Sequence, residues 1–140
     1  MKKLAFLFLI SIIIFSCSVS NDDGDNGLDG VTFEFLPIEN VELPESFVLN
    51  ETYQIAVTYF RPSSCHSFND FYYQSNDNER TIAVINQVIN NSSCEDFTDN
   101  LVEVSFNFVA KFRQTYVFKI WKGLDENEND LYYIVEVPVI

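Results

Sequence analysis

Residues 101–110 read LVEVSFNFVA, and that stretch decides the fold class. Val102, Val104, Phe106, Phe108 and Ala110 fall on alternate positions, with Glu103, Ser105 and Asn107 between them and Lys111 following. Successive side chains of an extended strand point to opposite faces, so a period of two separates an apolar face from a polar one. A helix would scatter the same residues around its axis. The segment predicts a half-buried strand.

The same period recurs on both sides of it. Tyr53, Ile55, Val57 and Tyr59 alternate with Thr52, Gln54 and Thr58, and Tyr116, Phe118 and Ile120 alternate with Thr115 and Lys119. At the end of the chain, Leu131, Tyr133, Val135 and Val137 alternate with Tyr132, Ile134 and Glu136. Less regular strands are expected at 31–36, 38–43, 68–74 and 80–90. No window of helical length carries a 3.6-residue period. The breaks have turn chemistry, as in Leu43-Pro44-Glu45-Ser46, Arg61-Pro62-Ser63-Ser64, Ser75-Asn76-Asp77-Asn78 and Asn90-Asn91-Ser92-Ser93. Fourteen Phe and seven Tyr suit pleated, half-buried surfaces. About seven short strands over roughly 110 residues predict an all-β chain of two packed antiparallel sheets, a β-sandwich spanning 31–140.

The chain starts Met1-Lys2-Lys3 and continues into an apolar run from Leu4 to Phe15 that only Ser11 interrupts. That run is too short for a permanent span of a hydrocarbon core, which wants about 20 apolar residues. It fits the core of a secretory signal peptide over 1–16. Ile14-Phe15-Ser16-Cys17 resembles a lipobox, with Phe at −2 departing from the commonest pattern. The resemblance implies diacylglyceryl transfer to the Cys17 thiol, cleavage before it and acylation of the new amine. One acyl chain binds a membrane only marginally, whereas two or three on one residue anchor stably.

Residues 17–30 follow as SVSNDDGDNGLDG after the cysteine, four Asp and three Gly with only Leu28 as a large apolar residue. Such a stretch cannot bury enough surface to offset its ordering entropy and is expected to be a solvated acidic tether. Ser20-Asn21-Asp22-Asp23 is similar to the acidic export signal on surface lipoproteins of the Bacteroidota. That similarity implies an outer-membrane protein facing the medium; the alternative is a lipoprotein facing the periplasm. The Asp and Gly spacing also matches a calcium loop loosely, but short acidic tethers produce such spacing freely.

Removing residues 1–16 takes away Lys2 and Lys3 and leaves six basic against 21 acidic residues, a net charge of −15. That balance argues against nucleic acid or an anionic membrane face as a partner and favours cationic ones. Lys111, Arg113, Lys119 and Lys122 cluster late in the chain and read as a solvated strand face. With Cys17 committed to lipid, Cys65 and Cys94 form an even pair in an exported chain, which is expected to be a disulfide. Closing that loop removes unfolded-state entropy worth about 3 kcal/mol in the chain-entropy model.

The stretch from Leu43 to Tyr59, LPESFVLNETYQIAVTY, looks like the opening of bacterial immunoglobulin-like domains, where a turn leads into an alternating strand. The whole mature region resembles small Bacteroidota (flavobacterial-type) lipoproteins of this build. The resemblance implies an immunoglobulin-like sandwich, with a disulfide placed elsewhere than the usual inter-sheet pair.

Chemistry is sparse. His66, the single histidine, lies in the serine-rich turn Pro62-Ser63-Ser64-Cys65-His66-Ser67 and is expected to be an exposed turn residue. A Ser-His-Asp arrangement would need it as general base, and no nucleophile elbow surrounds it. His66 and Asp70 fall short of the three or four ligands of a zinc site. Asp125, Asn127, Asn129 and Glu136 occupy four ligand positions of an EF-hand loop, but Asp130 stands where the loop needs glycine. The DENEND segment reads instead as a charged hairpin turn. With 21 acidic residues, carboxylate pairs arise by chance. Trp121, on the face of Val117 and Lys119, is a candidate exposed ring for sugar or protein contact, with burial under a second sheet as the alternative.

These readings give no catalytic residues, no metal and no cofactor. They predict a non-catalytic, lipid-anchored envelope protein that binds or scaffolds, with envelope proteins or glycans as partners. The alternative is a carbohydrate-binding accessory lipoprotein for nutrient capture, with Trp121 and tyrosines displayed on one sheet. A hydrolase ranks below both, and needs a cleft joining His66 to carboxylates.

Overall fold

The computed structural model describes residues 30–90 and 93–140. The expected signal peptide, Cys17 and the tether up to residue 29 lie outside them. Eight strands and no helix make up the described chain: β1 (Val31–Leu36), β2 (Ile38–Glu42), β3 (Thr52–Phe60), β4 (His66–Asn76), β5 (Glu79–Ile89), β6 (Leu101–Val109), β7 (Tyr116–Leu124) and β8 (Asp130–Val137). They form two packed sheets, a β-sandwich. Pro37, which has no N–H to donate to a ladder, separates β1 from β2, and the chain changes sheet there.

The smaller sheet has the order β2-β3-β6, antiparallel throughout. The larger is built on β5. β4 pairs with it antiparallel along one edge, from His66↔Val88 to Asn76↔Glu79. The other edge is shared by two strands. β1 runs antiparallel from Val31↔Ile89 to Leu36↔Val84, and β7 runs parallel from Glu79↔Val117 to Ile82↔Ile120. β8 completes the sheet against β7. The parallel β5–β7 pair departs from the all-antiparallel sandwich the sequence suggests. The pairing establishes a two-sheet sandwich, not immunoglobulin connectivity.

The alternating residues meet in the core as their period requires. Ile55, Val57 and Tyr59 of β3 face Ile82 and Val84 of β5 and Phe118 and Ile120 of β7, all essentially inaccessible to solvent. Phe47, in the connection between β2 and β3, is fully buried at the centre of an aromatic cluster. Its ring centroid lies 4.8 Å from those of Tyr53 and Phe108 and 5.9 Å from those of Tyr116 and Phe118. Its backbone also holds the C-terminus, since Phe47 N–H donates to the Pro138 carbonyl (2.8 Å) and Ile140 N–H to the Phe47 carbonyl (2.8 Å).

One alternating strand is only partly covered. Val137 of β8 is buried and Val135 packs on the core, but Leu131 and Tyr133 on the same face are 44% and 58% exposed. β8 is the edge of the wider sheet, and three strands cannot cover the inner face of five.

Candidate functional site

The seam where β1 and β7 share one edge of β5 opens on the outer face of the larger sheet. β1 leaves β5 at the pair Leu36↔Val84, and β7 takes over at Ile82↔Ile120. Ala83 lies between those pairs and points outward, away from Ile82 and Val84. With no strand continuing across it on that side, the position becomes the floor of a cleft of about 250 Å³, together with Thr81.

Aromatic rings wall the cleft, one from each surrounding strand. Tyr72 of β4 pairs directly with Ala83, Phe35 of β1 pairs with the next outward residue Ile85, and Trp121 of β7 pairs with Tyr132 of β8. Directly paired residues share a face of a pleated sheet, so the four rings converge although they come from four separate strands. Phe35 stands edge-on to both Tyr72 and Trp121, with centroids 5.8 Å and 6.0 Å away and planes 82° and 62° apart. Phe35, Tyr72 and Tyr132 remain 38–50% exposed, so these rings are walls and not core.

The polar component is small and fixed. Trp121 Nε1–H donates to Asp130 Oδ1 at 2.8 Å, which orients the indole and brings a carboxylate to the rim. Lys119 Nζ stands 5.3 Å from the Tyr132 ring centroid. Partial desolvation, and then Asp130 and Tyr72 nearby, hold the Tyr132 phenol above its usual range. The arrangement can receive a small ligand by its apolar or cationic surface.

Trp121 is half-buried on the outer sheet face, in one cleft with Tyr72 and Tyr132, whereas the carbohydrate reading asks for exposed, coplanar rings. Sequence reading missed Phe35, Asp130 and the floor. The available signal was an aromatic at outward positions of β1, β4 and β8, where a solvated face normally carries polar groups.

His66 is not the exposed turn residue expected from its neighbours. It begins β4 and is held at both ring nitrogens, with Ser63 Oγ 2.7 Å from Nδ1 and Glu34 Oε1 2.5 Å from Nε2. β1 and β4 flank β5, which lets Glu34 reach across to the ring. An ionised carboxylate only accepts, so Nε2–H donates to Glu34, and Nδ1 of a neutral ring accepts the Ser63 hydroxyl. That is the order of a hydrolytic relay. Yet Ser63 is only 5% exposed, its oxygen accepts the Cys65 N–H (3.2 Å), and neither Ser63 nor His66 lines the aromatic cleft.

Cys65 and Cys94 are disulfide-bonded with Cα atoms 5.4 Å apart, joining the segment that enters β4 to the loop after β5. The bridge sits in a backbone clasp in which Ser64 N–H donates to Glu95 O and Phe97 N–H to Pro62 O, both at 2.8 Å. Asp125 Oδ1 accepts the N–H groups of Asn127 (2.8 Å) and Asn129 (2.9 Å), and these bonds lower its pKa. The carboxylate thus organises the β7–β8 hairpin from within. Among the described residues no helix is long and apolar enough to cross a membrane. No protein-family model, curated protein or solved structure compared with the chain matches it.

Proposed function

We propose that this chain is a non-catalytic binding module of the cell envelope, held by lipid on Cys17 at the outer membrane and facing the medium. The aromatic cleft at the β1/β7 seam is its ligand seat. The carrying observation is convergence: Phe35, Tyr72, Trp121 and Tyr132 reach one small concavity from four strands, with Asp130 at its rim. Solvated sheet faces do not ordinarily gather rings this way, and concave, mostly apolar sites with few polar groups are the usual form of a small-ligand site. The anchor rests on the Ile14–Cys17 motif and the apolar run before it. The non-catalytic reading is supported by Ser63, whose hydroxyl is buried and occupied.

A second reading, carbohydrate capture, is favoured by one observation, the partial exposure of Trp121, Tyr72 and Tyr132 on one sheet face. Trp121 is the single tryptophan, so its fluorescence reports the cleft directly. Titrating the full chain with a panel of soluble glycans and small organic cations should give a saturable change that Ala83→Leu, which fills the floor, abolishes. A response that survives Ala83→Leu places the ligand elsewhere and overturns this assignment. For the anchor, Cys17→Ala should move the protein from the detergent phase to the aqueous phase; unchanged partitioning would sink it.

A further inference from the structure

We infer that the aromatic cleft is selective for a small organic cation, a quaternary or alkylated ammonium group, over a neutral ligand. This rests on the cleft being the binding site and adds the chemistry of what it takes.

Three observations carry it. The first is the wall composition. The faces of Phe, Tyr and Trp rings carry negative quadrupole density, and rings set at steep angles around a point enclose it with several such faces. Phe35 is inclined at 82° to Tyr72 and at 62° to Trp121, at centroid separations near 6 Å, so these walls do not form one flat platform. A flat sugar ring prefers a platform to stack on. Inclined walls suit a compact, roughly spherical group that touches each of them.

The second is the polar inventory. A sugar needs several directional donors and acceptors around its hydroxyl groups. The cleft supplies the Thr81 hydroxyl, the phenols of Tyr72 and Tyr132, and one carboxylate. Tyr72 Oη is already turned toward Gln74 Oε1 at 3.3 Å, and the indole N–H is spent on Asp130. Asp130 Oδ2 stays free of that bond and supplies a formal negative charge at the rim. A quaternary ammonium needs no hydrogen bonds, only that charge and the ring faces.

The third is the chain's charge. The net charge of −13 over the whole chain adds a long-range field that draws cations in and discourages anions. The volume, about 250 Å³, suits a group the size of a quaternary ammonium.

The test uses the full chain in a sugar-free, non-ionic polyoxyethylene detergent, with Trp121 fluorescence as the readout. Choline is titrated against 3,3-dimethylbutan-1-ol, which has the same shape without the charge. Choline should saturate, and the neutral isostere should bind about tenfold more weakly or worse. Asp130→Asn, whose Oδ1 can still accept the indole N–H, should weaken choline several-fold more than it weakens the isostere, narrowing the ratio between the two. Rising salt should weaken choline binding in the same direction. Equal affinity for the two molecules overturns the cation inference and leaves the cleft as a binding site. Binding of neutral glycans with no choline response overturns it in favour of carbohydrate capture. No response to any of these probes overturns the inference and the cleft assignment together.

Discussion

The guanidinium carbon of Arg80 stands 5.0 Å from the centroid of Tyr116, at the point where β5 and β7 begin their parallel pairing. Arg80 is 6% exposed, and no carboxylate lies within ion-pairing distance among the described residues. It is satisfied by other means. Nη1 donates to the carbonyls of Asp77 (2.7 Å) and Glu79 (2.6 Å), and the plane rests among Tyr116 and Phe112. Asn78 completes the latch, because its Nδ2–H donates to Thr115 O and its carbonyl accepts Val117 N–H. A turn thus clamped to the start of β7 explains why β7, and not another antiparallel strand, occupies that part of the β5 edge.

Arg80→Lys should therefore cost about 1–2 kcal/mol of stability, because an ammonium keeps the charge but loses the planar stack. Chemical denaturation of the two proteins measures it. Equal midpoints would show that stacking contributes nothing here.

The core contains a buried polar pair. The Tyr59 hydroxyl and both amide atoms of Asn86 meet no partner at good hydrogen-bond geometry, and burial raises the Tyr59 pKa while the neighbouring Asn86 amide opposes that shift. An unsatisfied buried group costs about 1–3 kcal/mol, while replacing such groups by apolar ones of similar shape is neutral or stabilising. The double variant Tyr59→Phe/Asn86→Val should be at least as stable as the parent. A loss above about 1 kcal/mol would instead show that the two side chains are satisfied in the fold, by each other or through a bridging water.

Phe47 joins the β2–β3 connection, both sheets and the C-terminal segment. Phe47→Ala should cost about 3–5 kcal/mol, the range for emptying a well-packed aromatic site. Hydrogen exchange should then accelerate at Ile140, whose N–H the Phe47 carbonyl accepts. Exchange left unchanged there would mean that the C-terminus docks independently of the ring.

Loss of the disulfide in the double variant Cys65→Ala/Cys94→Ala should cost about 2–4 kcal/mol and leave the fold intact. The backbone clasp of 62–64 on 95–97 remains to align the two segments. Thiol labelling of the native exported protein should find both cysteines blocked. Free thiols at these positions would contradict the bridge.

Asp125 supplies a pH dependence. Its folded pKa is lowered, chiefly by hydrogen bonds from Asn129. Its contribution is therefore complete above the unfolded carboxylate pKa and is lost as pH falls through the lower folded value. Asp125→Ala should lower Tm at neutral pH, and the gap should close as pH falls through and below the ordinary carboxylate range. A gap that persists in acid would assign the effect to backbone propensity.

Periodicity determined much of this by itself. The alternation in 52–59, 101–110 and 116–120 names a face of each strand, and those faces are the core, because a pleated strand buries one side whatever its partner. The cysteine pair and the 125–130 turn were legible for similarly local reasons. What lies between the strands was not. Phe47 sits in no periodic run, and its burial depends on which elements close over it. His66 looked like a solvated turn residue because its partner Glu34 is 32 positions away and meets it only across β5. The cleft is the clearest case. Trp121 stood out in the sequence and meets Asp130 through the β7–β8 hairpin, but Phe35 and Tyr72 became its neighbours only because β1 and β7 divide one edge of β5. Sheet register over long sequence separations decides such a meeting, and no local pattern encodes it.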